Sequence, residues 1–287
     1  MKTTVAKAML PSVLSPLHEL SETAAKAVLA AGDIQRKHFG TGVEAELIHP
    51  KDLKMVVDRE CEEAIVAMIR DRFPRHRILA EEGGDLGGDG DYLWIIDPLD
   101  GTVNYFHGLP QFCACVACCY LPKEKPLPAQ DADLLDSILV GAVYAPLLDE
   151  LYVGITGEGA TCNGKPIFCS PNKHLSEVIV ALSFGKTNAG IDHMAELCRL
   201  LARRARKLRS FGSAGLDIVQ VAGGRFGGLL YRGIHIWDIA AAGAVLKESG
   251  GILTAAVQQD GTWNIIAAAP GINSKLLQIV SVPWQHD

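Results

Sequence analysis

The most informative stretch of the chain is Trp94-Ile95-Ile96-Asp97-Pro98-Leu99-Asp100-Gly101-Thr102. Its first residues are typical of a buried strand, which delivers Asp97 at its end. Pro98 has no N–H and cannot continue a central strand, so we expect the chain to turn there. Asp100 then takes the N-cap position of a helix whose first turn contains Gly101 and Thr102. The stretch therefore predicts two carboxylates, three residues apart, on a turn beside free backbone N–H groups.

Carboxylates at this spacing suit a hard divalent cation with oxygen ligands, magnesium above all. Backbone N–H groups at a helix N-terminus suit a phosphate group. One short segment can therefore hold both a metal and a phosphate. The structural alternative is a strand, a turn and a helix capped by Asp100 without any function, and for an isolated stretch of this kind that alternative is favoured.

Two further acidic positions weigh against the structural alternative. Glu81 and Glu82 follow a short apolar strand, and adjacent acids repel each other unless a cation or hydrogen bonds offset the repulsion. Asp238 precedes an Ala-rich helix, where it is expected to be the N-cap and can also reach a shared metal site. Taken alone, the first position is explained equally well as the polar start of a loop, and the second is better explained as a cap.

Hydrolysis of a phosphate monoester is a reaction that these acidic positions can support. The uncatalysed reaction is extremely slow, and an enzyme must neutralise charge on the attacking and leaving oxygens. Clustered magnesium ions meet this requirement when carboxylates from separate segments hold them, without Cys or His ligands. The acidic positions of this chain fit that requirement.

The composition excludes several other classes of protein. The chain has 287 residues, of which 48% are hydrophobic and 21% are charged, which suits one large domain or two halves that share an interface. With 27 basic and 33 acidic residues the net charge is −6, which argues against nucleic-acid binding and a polybasic membrane anchor. No apolar stretch reaches the roughly 20 residues of a spanning helix. We expect a cytoplasmic protein that does not contact a membrane.

Four of the eight cysteines crowd into one segment, Cys113-Ala114-Cys115-Val116-Ala117-Cys118-Cys119. Cys115 and Cys118 form a CxxC pair, which zinc sites and redox sites use. No second pair or histidine pair nearby completes a set of four ligands. The favoured interpretation is a buried strand that uses Cys as a small hydrophobic residue, with metal or redox use as the alternative.

Hydrophobic periodicity predicts two structurally different halves, residues 1–174 and residues 175–287. The first half has the pattern of an antiparallel sheet with helices, and in the second half strands alternate with helices in an α/β layer. The predicted helices are 14–40, one around Cys61–Ile69, 193–206, 214–222 and 238–249. The predicted strands are 77–80, 92–96, 112–120, 137–145, 150–155, 178–183, 207–211, 226–231 and 251–255. Asn163-Gly164 predicts a hairpin turn, Asp85–Asp91 a solvated loop, Lys51–Val57 an extended segment and His235 a packed strand residue.

The sequence as a whole resembles the inositol monophosphatase family of magnesium-dependent, lithium-sensitive phosphatases. The first signature of that family, of the type WIIDPxDGTxNF, is similar to the stretch from Trp94 to Phe106. The second, of the type WDxAAGxxLxxEAGG, is similar to the stretch from Trp237 to Gly251. Two motifs of this length in the correct order are highly specific, and the resemblance extends over roughly residues 14–270.

The resemblance implies a metal site that binds two or three Mg²⁺ ions. Its expected ligands are the carboxylates of Glu81, Asp97 and Asp100, the backbone carbonyl of Leu99, and the carboxylate of Asp238. Asp100 and Asp238 are also expected to lie near the substrate.

The resemblance implies catalytic and substrate-binding residues as well. Asp58, at the end of Asp52-Leu53-Lys54-Met55-Val56-Val57-Asp58, is expected to act with Thr102 on the attacking water, with Glu81 as a further catalytic residue. Lys54 and Met55 replace the usual Val and Thr of that segment. The backbone N–H groups of Gly101 and Thr102 are expected to bind phosphate.

The substrate-binding positions match the family less closely. Ser213 and Ala214 match a stretch that lines the substrate, and the Gly185-Lys186 turn matches another. Seven residues before Asp238, where the inositol phosphatases carry a Glu that recognises the ring, this chain has Tyr231, followed by Arg232. The predicted strand alternation turns Arg232 to solvent, whereas an arginine beside the site would suit a second phosphate.

The resemblance implies a layered αβαβα sandwich, an α/β (α+β) fold, that forms homodimers and has its site between the two halves. The leading hypothesis is a magnesium-dependent phosphomonoesterase that acts on inositol 1-phosphate or a related sugar phosphate. A second hypothesis keeps the chemistry on a sugar bisphosphate, a nucleotide 3′-phosphate or histidinol phosphate. A third is a regulatory or binding protein that retains the fold.

Overall fold

A computed structural model describes residues 14–42, 45–49, 52–125, 127, 132–185 and 187–281. The N-terminal 13 residues, Lys51 and Lys186, all of which the sequence analysis considered, lie outside the described residues. Among the described residues, no helix combines the length and the apolar character that crossing a membrane requires.

The described residues form seven α-helices that alternate with strands. They are α1 (Leu14–His38), α2 (Val56–Arg72), α3 (Thr102–Phe106), α4 (Asn188–Ala202), α5 (Ala214–Ala222), α6 (Ile236–Glu248) and α7 (Pro270–Val280).

Fifteen strands accompany these helices among the described residues. They are β1 (Ala45–His49), β2 (Asp52–Met55), β3 (Arg77–Ala80), β4 (Gly84–Asp85), β5 (Tyr92–Asp100), β6 (Cys113–Tyr120), β7 (Ile138–Ala145), β8 (Glu150–Ile155), β9 (Gly159–Cys162), β10 (Lys165–Pro166), β11 (Ile179–Leu182), β12 (Lys207–Arg209), β13 (Gly228–Ile234), β14 (Ile252–Val257) and β15 (Trp263–Ala268).

Two large sheets build the molecule. The first has the strand order β10-β9-β8-β7-β6-β5-β3-β4 and is antiparallel except where β3 lies parallel to β5. The second has the order β12-β11-β13-β15-β14, in which β11 runs parallel to both of its neighbours and the other pairs are antiparallel. β1 and β2 form a separate small hairpin.

The helices form three layers around these sheets. α1 and α2 pack on the outer face of the first sheet, α5 and α6 lie between the sheets, and α4 and α7 cover the outer face of the second. The predicted αβαβα sandwich is therefore confirmed. One cluster of buried residues joins β5 and β6 to α5, α6 and β15, so side chains from both sides of the predicted boundary at residue 174 share a core. The division into two halves stays a prediction.

Small residues allow α6 to lie very close to the first sheet. A Cβ on Gly154 would come within 2.7 Å of the Val245 Cα, and a side chain on Gly141 would collide with the Ala241 carbonyl. The Ala-rich sequence of α6 serves this close packing, which brings the N-terminal turn of the helix to the end of β5.

The cysteine-rich segment forms β6, and its four cysteines are buried and reduced. The strand is covered on both faces, which explains its continuous run of small apolar residues. Cys113 and Cys115 face the core between the sheets, whereas Cys118 faces the outer core. The CxxC pair thus points to opposite faces of the sheet and cannot ligate one metal together.

Three of the local expectations that differ from the structure concern residues at or beside the acids. β5 continues past Pro98 to Asp100, because a one-residue bulge absorbs the proline between the pairs Asp97↔Cys115 and Asp100↔Cys113. The N-cap of α3 is Gly101 instead of Asp100. The N-cap of α6 is His235, so Asp238 is the third residue of that helix and accepts a hydrogen bond from the His235 N–H.

Candidate metal centre and active site

Three carboxylates meet where the end of β5 approaches the first turn of α6. Asp97, Asp100 and Asp238 each offer one oxygen, and these oxygens all lie within 4.8 Å of one another. Asp97 is 1% exposed and Asp100 is 8% exposed. The bulge at Pro98 and Leu99 explains why two aspartates three residues apart reach the same point.

The charges of this cluster are poorly compensated by the protein. Burial, and then the negative charges of Glu81, Asp100 and Asp238, hold the pKa of Asp97 well above its ordinary value. Oδ1 of Asp97 accepts the Leu99 N–H at 3.1 Å, but its buried Oδ2 accepts no hydrogen bond from any residue that the structure describes. A buried, unpaired carboxylate oxygen is costly, and a hard divalent cation offsets that cost. The donor set therefore fits a metal ion.

Glu81 lies beside the three aspartates because β3 is paired in parallel with β5. Its N–H donates to the Ile96 carbonyl at 3.1 Å, which fixes its position beside Asp97. Burial, followed by the charge of Asp238, holds the pKa of Glu81 well above its ordinary value.

Glu62 on α2 holds the chain that follows Glu81, and the sequence analysis missed it. Its carboxylate oxygens accept the N–H groups of Glu82 and Gly83, both at 2.8 Å, and the residue is 7% exposed. Its place one helical turn after Asp58 was the available signal, because both residues then share one face of α2.

Asp58 and Thr102, 44 residues apart, lie side by side. Thr102 Oγ1 is 3.5 Å from Asp58 Oδ1 and 3.0 Å from the Leu99 carbonyl oxygen, so its hydroxyl proton has two acceptors. Asp58 Oδ2 accepts the Met55 N–H at 2.8 Å, and burial raises the pKa of Asp58 to about 7. The pairing that the resemblance implies is thus present in the geometry.

Asp100 also binds the start of α5. Its carboxylate accepts hydrogen bonds from Ser213 Oγ at 2.5 Å, the Ala214 N–H at 3.1 Å and the Gly215 N–H at 2.7 Å. Burial raises the pKa of Asp100 while these bonds oppose the rise. Ser213 is fully buried, so its hydroxyl supports Asp100 instead of lining the substrate cavity as expected.

A cavity of about 200 Å³ opens above the carboxylates. It is lined by Glu81, Asp97, Leu99, Asp100, Gly101, Thr102, Val103, Ser183, Gly212, Ala214, Tyr231, Gly233, Ile234, His235 and Asp238. Gly101 has φ = +91°, and a Cβ there would lie 2.7 Å from the Gln111 carbonyl, so a side chain at this turn would be strained and crowded. Of the residues expected at the site, Asp58, Ser213 and Gly185 do not line this cavity.

Tyr231 forms part of the cavity wall but is 3% exposed. Its hydroxyl donates to Asp217 Oδ2 at 2.7 Å, and burial raises the pKa of Asp217 to about 7. Sequence reasoning missed Asp217; the signal was a lone acid inside the apolar helix that follows Ser213.

His235 takes a position that differs from the expectation, whereas the sequence leaves the position of Arg232 open. His235 is a partly exposed N-cap that stacks on Trp237, with ring centroids 4.8 Å apart, and it lines the cavity instead of packing inside a strand. Arg232 lines a neighbouring cavity of about 380 Å³ that shares Gly233 and His235 with the first. Gly185 lines this second cavity as well.

Buried carboxylates that converge between strand ends and the first turn of a helix, beneath an open cavity, are typical of metal-dependent enzymes. Comparison with known proteins identifies the family. The model of the inositol monophosphatase family matches residues 16–282. A fructose-1,6-bisphosphatase/inositol-1-monophosphatase of Aquifex aeolicus is 34% identical over 267 residues, covering 92% of this chain and 96% of the relative.

Two further relatives illustrate the range of the matches. The Nus factor SuhB of Pseudomonas aeruginosa is 35% identical over 210 residues, covering 71% of this chain and 72% of the relative. The solved structure of an inositol monophosphatase from Anabaena superposes with a TM-score of 0.75 at 34% identity, covering 93% of this chain and 98% of that one. The chain therefore belongs to the inositol monophosphatase family and is a phosphoric monoester hydrolase.

Proposed function

We propose that this protein is a magnesium-dependent phosphatase that hydrolyses inositol 1-phosphate or a related small sugar phosphate. The observation that carries the proposal is the convergence of Asp97, Asp100 and Asp238 beneath an open cavity, with one buried oxygen of Asp97 lacking a donor. Glu81 and the Leu99 carbonyl, which line the same cavity, complete the proposed ligands. Magnesium ions held there would lower the pKa of water and neutralise charge on the phosphate.

The remaining residues of the site position the reactants. We assign Thr102 and Asp58 to the attacking water, because the Thr102 hydroxyl lines the cavity while Asp58 stands directly behind it. Glu81 faces the same region. The turn at Gly101 and Thr102 provides backbone N–H groups for the phosphate. Ala214 and Tyr231 line the part of the cavity left for the alcohol portion of the substrate.

A panel of phosphate esters tests the proposal. Inositol 1-phosphate, a sugar bisphosphate, a nucleotide 3′-phosphate and histidinol phosphate would be assayed with magnesium, with excess chelator, and with added lithium. We expect activity that requires magnesium and that lithium inhibits, with inositol 1-phosphate among the substrates. Full activity in excess chelator would disprove the metal-dependent mechanism.

The second cavity supports a second candidate substrate, a sugar bisphosphate. Arg232 lines this cavity, and a guanidinium binds phosphate with two parallel hydrogen bonds. Asp260 also lines the cavity and would oppose an anion placed close to it. We expect Arg232→Gln to lower kcat/KM for a bisphosphate at least tenfold and for inositol 1-phosphate less than twofold, with the exposed Arg203→Gln as control. Equal losses on both substrates would exclude this role for Arg232.

The third hypothesis, a binding role, is separable from catalysis. One relative carries the name of a Nus factor, and the net charge of −6 favours a protein partner over direct contact with nucleic acid. If binding were the main role, Asp97→Asn would abolish phosphatase activity but leave cells that carry it unimpaired.

The homodimer and the cytoplasmic location stay predictions, and sedimentation and cell fractionation would test them.

A further inference from the structure

Gln35 is a polar residue at a position of α1 where the pattern favours an apolar side chain. It continues the stripe of buried residues Ala24, Val28 and Ala31 at the spacing of one helix face, and it is 0% exposed. A buried amide is costly unless its polar atoms are paired. Packing alone therefore does not account for a glutamine at this place.

The Gln35 amide is paired on one side. Its Nε2 donates a hydrogen bond of 2.8 Å to the carbonyl oxygen of Pro98, 63 residues along the chain. Its buried Oε1 accepts no hydrogen bond from any residue that the structure describes. Because a carbonyl oxygen can only accept, the NH₂ group must be the one that faces Pro98. The side chain thus leaves one oxygen unpaired while it binds the backbone of the bulge in β5.

The bulge is the place where β6 holds the backbone of β5 least. β5 pairs with β6 at Asp97 and again at Asp100, with a shift in register between them. Pro98 and Leu99 lie within the bulge, where the ladder is disrupted. Since Pro98 has no N–H, its carbonyl is the single hydrogen-bonding group of its backbone, and this is the group that Gln35 holds.

The peptide unit between Pro98 and Leu99 carries this contact to Asp97. It is planar and trans, so its C=O and N–H point to opposite sides, and a donor that fixes the carbonyl also fixes the direction of the N–H. The Leu99 N–H donates to Asp97 Oδ1 at 3.1 Å. The other oxygen of Asp97, Oδ2, is buried without a donor among the described residues and is left for a metal ion.

We propose that Gln35 is a positioning residue for phosphate hydrolysis. By holding the Pro98 carbonyl, it keeps the Leu99 N–H on Asp97 Oδ1 and thereby directs Oδ2 toward the metal ion. Gln35 does not line the active-site cavity, so it acts through the peptide unit and touches neither substrate nor metal. The proposal rests on the proposed function of Asp97 as a metal ligand.

Tyr105 offers a matched comparison. Its hydroxyl, which is also buried, donates to the backbone carbonyl of Gln35 at 2.7 Å and joins α3 to α1. That bond involves neither the side chain of Gln35 nor the carbonyl of Pro98. Tyr105→Phe therefore removes one buried hydrogen bond to α1 but leaves the contact with the bulge in place.

Binding of Mn²⁺ tests the positioning role without any substrate. Mn²⁺ shares the preference of Mg²⁺ for oxygen ligands, and its electron paramagnetic resonance signal reports the free ion during a titration. The proteins compared are the wild type, Tyr105→Phe and Gln35→Met, in which methionine has a similar size and shape but no donor. We expect Gln35→Met to raise the Kd for Mn²⁺ at least tenfold and Tyr105→Phe to change it less than twofold. An unchanged Kd in Gln35→Met would overturn the proposal.

Unfolding and turnover separate positioning from a purely structural role. Gln35→Met also removes the unpaired Oε1, so we expect its thermal midpoint in chelator to fall no further than that of Tyr105→Phe. The magnesium concentration for half-maximal activity should rise at least tenfold in Gln35→Met, while kcat at saturating magnesium falls less than threefold. A lower midpoint with an unchanged magnesium requirement would show that Gln35 only stabilises the fold.

Two further variants keep the outcomes distinct. If Gln35→Met does not fold, Gln35→Asn supplies the comparison, because its amide is shorter by one carbon–carbon bond of about 1.5 Å and loses the Pro98 carbonyl. If Asp97→Asn binds Mn²⁺ as tightly as the wild type, the proposed function of Asp97 fails and the role of Gln35 fails with it. If Asp97→Asn loses Mn²⁺ while Gln35→Met binds it normally, the role of Gln35 fails alone.

Discussion

The Tyr231 hydroxyl donates a hydrogen bond of 2.7 Å to Asp217 Oδ2, and both side chains are almost completely buried. A carboxylate therefore stands behind Tyr231, at the position where the resemblance predicts a Glu that recognises the ring. A substitution that introduces a Glu at this position places a second acid against Asp217.

The single substitution Tyr231→Glu is expected to destabilise the protein, because two buried carboxylates in contact repel each other. Adding Asp217→Asn removes one charge, so the double variant should recover at least half of the lost stability. Thermal unfolding at fixed magnesium measures both effects. In the double variant we further expect kcat/KM for inositol 1-phosphate to rise relative to that for the other substrates. A single variant as stable as the double variant would show that the two carboxylates do not repel each other.

The stability that Asp217 contributes should depend on pH. Its pKa is about 7 in the folded protein, against an ordinary value of 3.8, so the folded state binds more protons than the unfolded state between these values. The free energy of unfolding must therefore fall as the pH rises through this window. Relative to Asp217→Asn, we expect the wild type to lose about 3–4 kcal/mol between pH 4 and pH 8. Denaturant unfolding measures this loss, with the exposed Asp71→Asn as control, and a pH-independent difference would contradict it.

Asp97→Asn should separate catalysis from stability. The substitution removes one charge from a mutually repelling cluster, so the free energy of unfolding measured in chelator should stay equal or rise. Turnover should fall by a factor of about 1,000 or more, because the loss affects charge neutralisation in the transition state. Unfolding of the metal-free variant would instead mean that Asp97 has a structural role.

Asp58 and Thr102 should behave as one unit. Because the Thr102 hydroxyl contacts Asp58, we expect Asp58→Asn, Thr102→Val and the double substitution to lower kcat by similar factors. A double-mutant cycle on kcat provides the measurement. Independent losses that multiply in the double variant would refute the pairing on the attacking water.

Glu62→Gln tests whether the Glu62 carboxylate fixes the segment after Glu81 by accepting the Glu82 and Gly83 N–H groups. The amide keeps one acceptor oxygen but turns an NH₂ group toward a backbone N–H, which should cost about 1–2 kcal/mol of stability. Because Glu81 then loses its fixed position, the magnesium concentration for half-maximal activity should rise about tenfold while kcat at saturating magnesium falls less. The exposed neighbour Glu63→Gln serves as control. An unchanged magnesium dependence would assign Glu62 a purely structural role.

Local sequence determined much of the framework and the location of the acids. The apolar run before Asp97 predicted a strand, and Asn163-Gly164 predicted a turn in which both residues have positive φ, at +49° and +73°. Glu81 and Asp97 were recognisable because each directly follows a short run of apolar residues. Family motifs supplied the pairing of Asp58 with Thr102, which no local pattern implies. The last strand and helix, β15 and α7, were not predicted.

Only the tertiary structure decided how the buried charges are satisfied. The bulge that carries β5 through Pro98 depends on pairing with β6, which lies later in the chain. Asp100 caps α5, more than 100 residues away, instead of its own helix. No sequence pattern indicates that Asp217 accepts a hydrogen bond from Tyr231, because α5 and β13 come together only in the folded protein. Backbone propensity acts over a few residues, whereas a buried carboxylate takes whichever donor the packing of distant elements provides, and a linear pattern does not contain that choice.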